Sequence, residues 1–528
     1  MATHNEKLAI SLQILKDLQT AEVLQASKHP ALSRVHRERL VKAGFMKQVV
    51  PGWYLLSRPE EQDGDSTSWY INMEAFVAAY ANSRFDRDWQ LSAEQSLLRH
   101  SGETTLPKQM HIHAPKANNN VVRLLHGCSL FLYRGPLSMQ TPNAVVNVNG
   151  LRLIAPEECL FRVAASFYEL QPQSVQIALR RADINELARL VLKDGSTTVA
   201  GRLVGALRAV GRDDDAQLLL NTMRAAGHSL RVINPFVAEL RTIAGDRAES
   251  PYVQRIRMMW SDMRVTVIAA FKDVPKHPHQ EIEILMADVQ ARYVADAYNS
   301  LSIEGYRVTE QLIEKVRNGD WRPDFNESDR MVRDAMAAKG YFEAHRMVLE
   351  LIRETLQSKA LAGEQLRKNL ASWHLALFSP SVTAGILTAQ DLAGYRNRPV
   401  FIAGASHVPL PAEAVRECMP LLMQVLEQEE NPAVRAVLGH FVFVFIHPYI
   451  DGNGRLGRFI LNFMLATGGY VWTVVPVQQR AEYMAALEQA STSRNIEPFA
   501  GMLARLVGEQ SNTPLSRASQ RADSPGSL

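Results

Sequence analysis

Residues 433–446 (AVRAVLGHFVFVFI) are apolar on nearly every side of a helix, and they run straight into a proline and a cluster of glycines. Only a helix wrapped by other elements can hide such a surface, so a sizeable helical core must surround it. Pro448 steers His447 away from helical backbone, which ends the helix with the imidazole at a cleft. Asp451-Gly452-Asn453-Gly454 is turn sequence, with glycines free to take positive φ. Residues 455–467 regain helical spacing and are closed by Gly468-Gly469. The expected arrangement is a buried helix, a tight glycine loop and a second helix.

Such a loop offers chemistry as well as a turn. A glycine-rich entry to a helix presents backbone N–H groups to an anion, and the helix dipole adds to the attraction. Arg455 and Arg458 lie three apart on the second helix and share a face from which both reach a polyphosphate. Asp451 is an oxygen ligand suited to Mg²⁺, the usual companion of a triphosphate. His447 has the ring chemistry of a general base. A lone His-Pro or a lone Asp-Gly-Asn-Gly is most often a helix end or a surface turn. Base, metal ligand, anion nest and two guanidinium groups in order within residues 447–458 point to phosphoryl or nucleotidyl transfer.

The stretch His447-Pro448-Tyr449-Ile450-Asp451-Gly452-Asn453-Gly454-Arg455-Leu456-Gly457-Arg458 resembles the signature of the Fic family, His-Pro-x-x-Asp/Glu-Gly-Asn-Gly-Arg-x-x-Arg, at every fixed position. Residues 250–264, 395–411 and 483–499 also look like Fic-family sequence, so the resemblance covers about 251–507. It implies a mainly α chain whose Fic core is all helical with one β-hairpin flap. It implies an AMP transfer from ATP to a hydroxyl side chain (Ser, Thr or Tyr) of a protein, the chain itself included. His447 would deprotonate that hydroxyl and Asp451 would hold Mg²⁺. Gly452, Asn453, Gly454 and Arg455 would form the anion hole, and Arg458 would take the γ-phosphate. The flap would be 400–408, with Val400, Phe401, Ile402, Ala403 and Gly404 docking the extended target backbone by strand addition; an ordinary core strand is the rival reading. Transfer of phosphate instead of AMP is disfavoured, because Gly454 leaves room where a bulky lysine would invert the nucleotide.

Ser300-Leu301-Ser302-Ile303-Glu304-Gly305 matches the family's inhibitory motif, Ser/Thr-x-x-x-Glu-Gly/Asn, and lies ahead of the core. The resemblance makes Ser300 and Glu304 a brake: Glu304 would pair with Arg458 in place of the γ-phosphate. In some family members the same glutamate positions water for removal of AMP. A plain helix end is the alternative for 300–305.

The first 58 residues hold nine Lys/Arg and four Asp/Glu and read as short helices followed by a strand–turn–strand through Pro51-Gly52. A helix over 33–42 is expected, with Ser33 at its start, Gly44 beyond its end, and Leu32, Val35, Leu40 and Ala43 on its apolar side. Its other face carries Arg34, Arg37, Arg39 and Lys42. This is the pattern of a winged helix-turn-helix, with those four side chains as DNA-binding candidates, or of the same fold used for protein contacts. Residues 59–68 read as a linker, 69–245 as a mixed α+β domain, and 509–528 as an unstructured tail. Strands are expected at 110–113, 129–133, 144–148 and 151–154, and packed helices at 200–210 and 214–226. Residues 1–245 resemble, through 44–56, 91–100 and 200–211, the antitoxin of type IV abortive-infection systems. A DNA-binding, antitoxin-like regulator whose Fic core is repressed or mainly removes AMP is therefore the second function class. His111 and His113 alternate on a strand without further ligands nearby in sequence and read as structural.

Composition narrows the partners. A net charge of +3 is too slight to commit the whole molecule to nucleic acid or to a membrane. Three separated cysteines argue against a disulfide framework. With no secretory signal, the expectation is a cytoplasmic protein, with a second copy of itself as a further candidate partner.

Overall fold

The computed structural model describes residues 3–512, apart from 19–22, 58, 60–66, 138–143, 238–239, 241–245, 247, 278–280, 322–328 and 403. The fold is mainly helical with small sheets, and the chain divides into two compact units, Met1–Arg255 with Val400–Val408, and Ile256–Pro399 with Pro409–Leu528.

The first unit opens with α1 (His4–Asp17), β1 (Val23–Gln25), α2 (Arg34–Lys42), β2 (Met46–Val50) and β3 (Trp53–Leu56). The three strands form an antiparallel sheet in the order β1-β3-β2, and the hairpin turns at Pro51-Gly52 with Gly52 at φ 83°. α2 starts after Ser33, and Gly44 at φ 80° follows it, as the sequence implies. Leu32 and Leu40 are buried with Leu24 and Met46, but Val35 is 59% exposed. Val35 is thus not on the inner face, which this nine-residue helix builds around Leu40 alone.

Next come α3 (Thr67–Phe85), β4 (Gln90–Leu91), α4 (Ala93–His100), β5 (Gln109–Ala114), β6 (Asn120–Arg123), β7 (Ser129–Arg134), β8 (Val145–Val148) and β9 (Leu151–Ile154). β5, with burial alternating along its length, pairs in parallel with β7 inside the sheet β4-β5-β7-β6, and β8 pairs with β9. β4 and β6 were not expected; β4 has only two residues, and no side chain of β6 is buried. The expected linker 59–68 lies mostly outside the described residues, and α3 already begins at Thr67. His111 and His113 face Phe131 and Tyr133 across the parallel pair, with ring centroids 5.8 and 4.8 Å apart.

The unit continues as helices: α5 (Pro156–Arg162), α6 (Ala165–Leu170), α7 (Pro172–Arg181), α8 (Ile184–Asp194), α9 (Thr197–Ala209) and α10 (Asp213–Ala225). Gly201 and Gly205 on α9 face the carbonyls of Arg231 and Ile233, where a Cβ would come within 2.1 and 2.0 Å of oxygen.

The second unit takes up α11 (Pro251–Ala270) from Ile256 onward. It continues with α12 (Ile282–Ile303), α13 (Glu310–Asn318), α14 (Asp329–Ser358), α15 (Ala362–Thr383), α16 (Ala412–Gln428), α17 (Pro432–Ile446), α18 (Asn453–Thr467), α19 (Arg480–Thr492) and α20 (Glu497–Ser511). α17 and α18 are the buried pair foreseen in the sequence, and Gly457 permits their close approach: a Cβ there would meet His440 Nδ1 at 2.8 Å. α20 runs to Ser511, three residues into the expected tail, because Leu506 and Val507 are buried and hold the last turns. Residues 513–528 lie outside the described residues.

The flap differs from expectation. No paired strand forms within 400–408 among the described residues, and Ala403 lies outside them. Gly404 turns the chain at φ 77°, but the backbone beyond it is taken by the first unit's own residues. Leu106 N–H donates to Ser406 O at 3.2 Å and Val408 N–H to Thr104 O at 3.3 Å, around a single bridge between Thr105 and His407. A hairpin needs its two arms to bond each other, and here one arm already has another partner.

Candidate active site

The site is built where α17 ends. Asn431 caps the helix start, its Oδ1 accepting from Ala433 and Val434 N–H at 3.0 and 3.2 Å, and Pro432 occupies the first turn, where no N–H is needed. At the other end His447 leaves the helix, as Pro448 requires, but into left-handed backbone (φ 54°, ψ 62°) in place of an extended one. For a side chain with a Cβ such a conformation costs on the order of 1–3 kcal/mol, so the surroundings must impose it. Arg396 does so. Its Nε donates to His447 O at 2.7 Å and its Nη2 to Ile446 O at 3.3 Å and to Leu410 O, while its own N–H donates to Pro448 O at 2.9 Å. The guanidinium is buried, and burial pulls its pKa down to about 10.

The ring of His447 is partly buried and its Nδ1 lies 3.2 Å from Val444 O. That contact puts the proton on Nδ1 and leaves the lone pair on Nε2. Burial lowers its pKa to about 4, with Glu304 and Asp451 acting weakly in the other direction. The imidazole is therefore neutral near neutral pH, with a free lone pair on Nε2.

The loop after it is tied by its own side chains. Asn453 is buried and closes a two-bond clamp on Tyr449, donating to its carbonyl at 2.8 Å and accepting from its N–H at 3.0 Å. Its amide is spent on the loop, so what it can offer an anion is its backbone N–H. Gly452 at φ 86° enters α18, and a Cβ there would strike the Phe378 ring at 2.8 Å. Asp451 Oδ1 accepts from Gly452 N–H at 2.6 Å and lies 3.4 Å from Arg455 Nη2, and its side chain is 60% exposed. One exposed carboxylate beside an anion nest suits Mg²⁺, which takes the rest of its shell from phosphates and water.

Arg455 is enclosed between the rings of Phe378 and Tyr306, 4.9 and 5.0 Å from their centroids, and its Nε is buried without a partner. Arg458 is also buried and fully engaged: Nε donates to Ser300 Oγ at 2.8 Å, and Nη2 to Ser300 O at 3.0 Å and Glu304 Oε1 at 2.7 Å. Burial opposes its charge, but Glu304 and the neighbouring phenols outweigh that and raise its pKa. Glu304 ends α12, with Gly305 at φ 84° just beyond it. Its Oε1 lies so close over the start of α18 that a Cβ on Gly454 would stand 2.1 Å away. The carboxylate stands over the first turn of α18.

The structure thus gathers His447, Asp451, Gly452, Asn453, Gly454, Arg455, Arg458, Ser300 and Glu304 in the second unit. It also shows residues that the sequence did not single out. Asp296, one turn before Ser300 on the same face of α12, is buried and accepts from Tyr341 OH at 2.7 Å; burial lifts its pKa to about 6. The four-residue spacing of Asp296, Ser300 and Glu304 was visible, but only Arg458 and Tyr341 give it meaning. Nothing in the sequence marked Arg396, Tyr306 or Phe378.

The remaining candidates belong to the first unit. Val400, Phe401, Ile402 and Gly404 lie on the segment described above. Of the basic residues on α2, Arg39 donates from Nη1 to Lys7 O and Ser11 Oγ at 2.8 and 2.9 Å, and Arg37 reaches Leu32 O. Arg34, paired with Glu38 at 2.6 Å, and Lys42 are exposed. Sequence reading could not separate Arg39, which ties α2 to α1, and Arg37, which braces the loop before α2, from the two cations that face water. No described helix is long and apolar enough to cross a membrane.

Residues 338–465 match the sequence profile of the Fic/DOC family. Protein adenylyltransferase fic-1 of Caenorhabditis elegans is 34% identical over 113 residues, 21% of each chain. Protein adenylyltransferase Fic of Drosophila ananassae is 36% identical over 119 residues, 21% of this chain and 22% of that one. The chain therefore spans about a fifth of the length of the curated relatives it matches. Among solved structures, C. elegans Fic-1 aligns over 70% of this chain and 92% of its own, with 17% identity and a TM-score of 0.36. A Fic-domain signalling protein of Bacteroides thetaiotaomicron aligns over 52% and 99%, with 20% identity and a TM-score of 0.35.

Proposed function

We propose that the Fic segment transfers AMP from ATP to a protein hydroxyl, and that Glu304 restrains it. The observation that carries this reading is the neutral His447 held at the end of α17 beside an intact glycine loop and helix N-terminus. His447 Nε2 accepts the proton of the incoming hydroxyl, whose oxygen bonds to the α-phosphorus of ATP as the bond to the β-phosphate breaks and pyrophosphate leaves. The backbone N–H groups of 452–454 and the dipole of α18 receive phosphate charge, and Arg455 and Arg458 neutralise more of it. Asp451 would hold Mg²⁺, which, when bound, draws the phosphates together and offsets their charge. The test is His447→Ala incubated with radiolabelled Mg-ATP: incorporation should fall roughly 100-fold or more while ATP binding persists. Undiminished labelling would remove His447 from the mechanism.

The brake reading rests on the 2.7 Å pair between Glu304 and Arg458 and on the closeness of the carboxylate to Gly454. The Glu304 side chain is a third exposed, which leaves it reachable by water and favours removal of AMP from a modified target as a second activity of the same residue. Release of AMP from labelled protein by wild type, but not by Glu304→Gly, would establish it.

The order α1-β1-α2-β2-β3, with the sheet β1-β3-β2, supports a winged helix in residues 1–58, and the exposed Arg34 and Lys42 support DNA as its partner. A regulator of the antitoxin kind, with the Fic segment held off, is the rival to an active transferase. Specific retention of its own upstream DNA without labelling of any protein would favour the regulator.

A further inference from the structure

Away from His447, α12, α13 and α14 of the second unit line an open cavity of about 390 Å³, within the size range of small-ligand pockets. Three guanidinium groups line it, Arg317 from α13 and Arg346 and Arg353 from α14. Its inner wall carries two buried side chains, Tyr293 and His345, whose OH and Nε2 have no hydrogen-bond partner. Their rings meet edge to face, with centroids 4.9 Å apart, and Phe342 packs on Tyr293 at 5.5 Å.

Each of these facts is costly by itself. A buried hydroxyl or ring nitrogen left unpaired forfeits the hydrogen bonds it makes in water, and three like charges around one hollow repel one another. One kind of occupant relieves the charge repulsion and the unpaired Tyr293 hydroxyl together. An anion meets the three guanidinium groups, and an acceptor oxygen on it takes the Tyr293 hydroxyl proton. Glu350 also lines the cavity, and Arg353 pairs with Glu283 at 3.2 Å, a link in which the Arg353 side chain is still 41% exposed. Those acids leave the wall basic on balance. Phe342, with the Arg346 guanidinium 5.9 Å from its ring, provides a flat apolar surface beside the charge. Guanidinium forks suit the paired oxygens of phosphate, and the aromatic wall suits a planar body.

We propose that this cavity binds a small phosphate-bearing ligand with a flat apolar portion, of mononucleotide size. The site is separate from the glycine loop and does not depend on AMP transfer.

The experiment is equilibrium dialysis of the full chain against labelled AMP, beside a variant carrying Arg346→Glu and Arg353→Glu. Neither arginine is fully buried, so the variant is expected to fold, and its melting temperature checks this. The variant should bind one AMP fewer per chain than wild type. Pyrophosphate should displace that molecule from wild type, and citrate should do so at least tenfold less well. Tyr293→Phe should weaken the same binding about tenfold, the loss expected from one hydrogen bond to a charged group, without lowering the melting temperature. Equal stoichiometry in wild type and the charge-reversed variant would overturn the proposal. Displacement by citrate as readily as by pyrophosphate would overturn the assignment to phosphate. A Tyr293→Phe protein that binds AMP unchanged would mean that the hydroxyl is satisfied by water and does not face a ligand.

Discussion

The backbone carbonyl of His447 accepts a hydrogen bond from Arg396 Nε at 2.7 Å, so the residue proposed as base is held in place by a side chain 51 positions earlier. Replacement by Ala leaves several buried carbonyls at the end of α17 unpaired and releases the left-handed turn. Arg396→Ala should lower the melting temperature by several degrees, since about 1–3 kcal/mol is lost for each buried group left unpaired. It should reduce AMP transfer more than ATP affinity. Arg396→Lys, with one ammonium for a fork, should restore only part of either. Transfer rate and nucleotide affinity measured on both variants check this, and a wild-type rate in Arg396→Ala would deny it a positioning role.

The acid limb of the rate profile should lie well below that of an ordinary histidine. A base whose pKa has fallen to about 4 stays deprotonated until the pH approaches that value. Transfer should therefore hold between pH 7 and 5.5 in a protein that remains folded. A midpoint near 6.5 would place the ring in water.

Asp296 gives a stability signature of the opposite kind. Its folded pKa is raised to about 6 from an ordinary 3.8, so the folded chain binds this proton more tightly than the unfolded one. Stability then falls as pH rises from about 4 to about 6, and the cost persists above that. Asp296→Asn keeps an acceptor for Tyr341 without the charge. It should raise the melting temperature at pH 7.5 and change it little at pH 4.5; equal shifts at both would assign the effect to packing.

Glu304→Gly should raise auto-modification about tenfold to a hundredfold, the range for losing a charge-assisted contact of about 1.5–3 kcal/mol. Arg458→Ala should not mimic it, because it breaks the pair and also deletes a phosphate ligand. Gly454→Ala offers an independent check, since its Cβ would stand 2.1 Å from Glu304 Oε1. It should destabilise wild type more than the Glu304→Gly background, in a thermal double-mutant cycle. Additive losses would mean that the carboxylate moves aside freely.

On α2, Arg34→Ala with Lys42→Ala should weaken DNA retention in a gel shift and leave the melting temperature unchanged. Arg39→Ala should lower the melting temperature, because it removes contacts to Lys7 and Ser11 on α1. Full retention at low salt by the first pair of changes would direct the winged helix towards a protein partner.

The buried helix, the glycine loop and the helix after it were legible because each rests on local rules: an all-apolar surface, proline's effect on the preceding residue, and glycine's freedom. The strands of β5, β7, β8 and β9 were legible as short runs rich in apolar and β-branched residues. What escaped were contacts between distant segments. Arg396 sits in a loop with no periodicity, and the parallel pairing of β5 with β7 leaves no trace in either strand. Val35 was placed inside because helical spacing gives a face but not its width. The 400–408 segment is β-like in sequence and was expected to be a hairpin only through the family resemblance, while the Thr104 and Leu106 that engage it lie about 300 residues away.

That last pairing changes what counts as a separable piece of this protein. A fragment cut at Ile256 would contain every residue from α12 to α20 and yet leave Val400–Val408 without Thr104, Thr105 and Leu106. Two backbone hydrogen bonds and the buried contact of Thr104 Oγ1 with His407 Nδ1, 3.0 Å long, would vanish with the amino-terminal half. The boundary drawn along the chain and the boundary drawn through space are different lines, and truncation follows only the first.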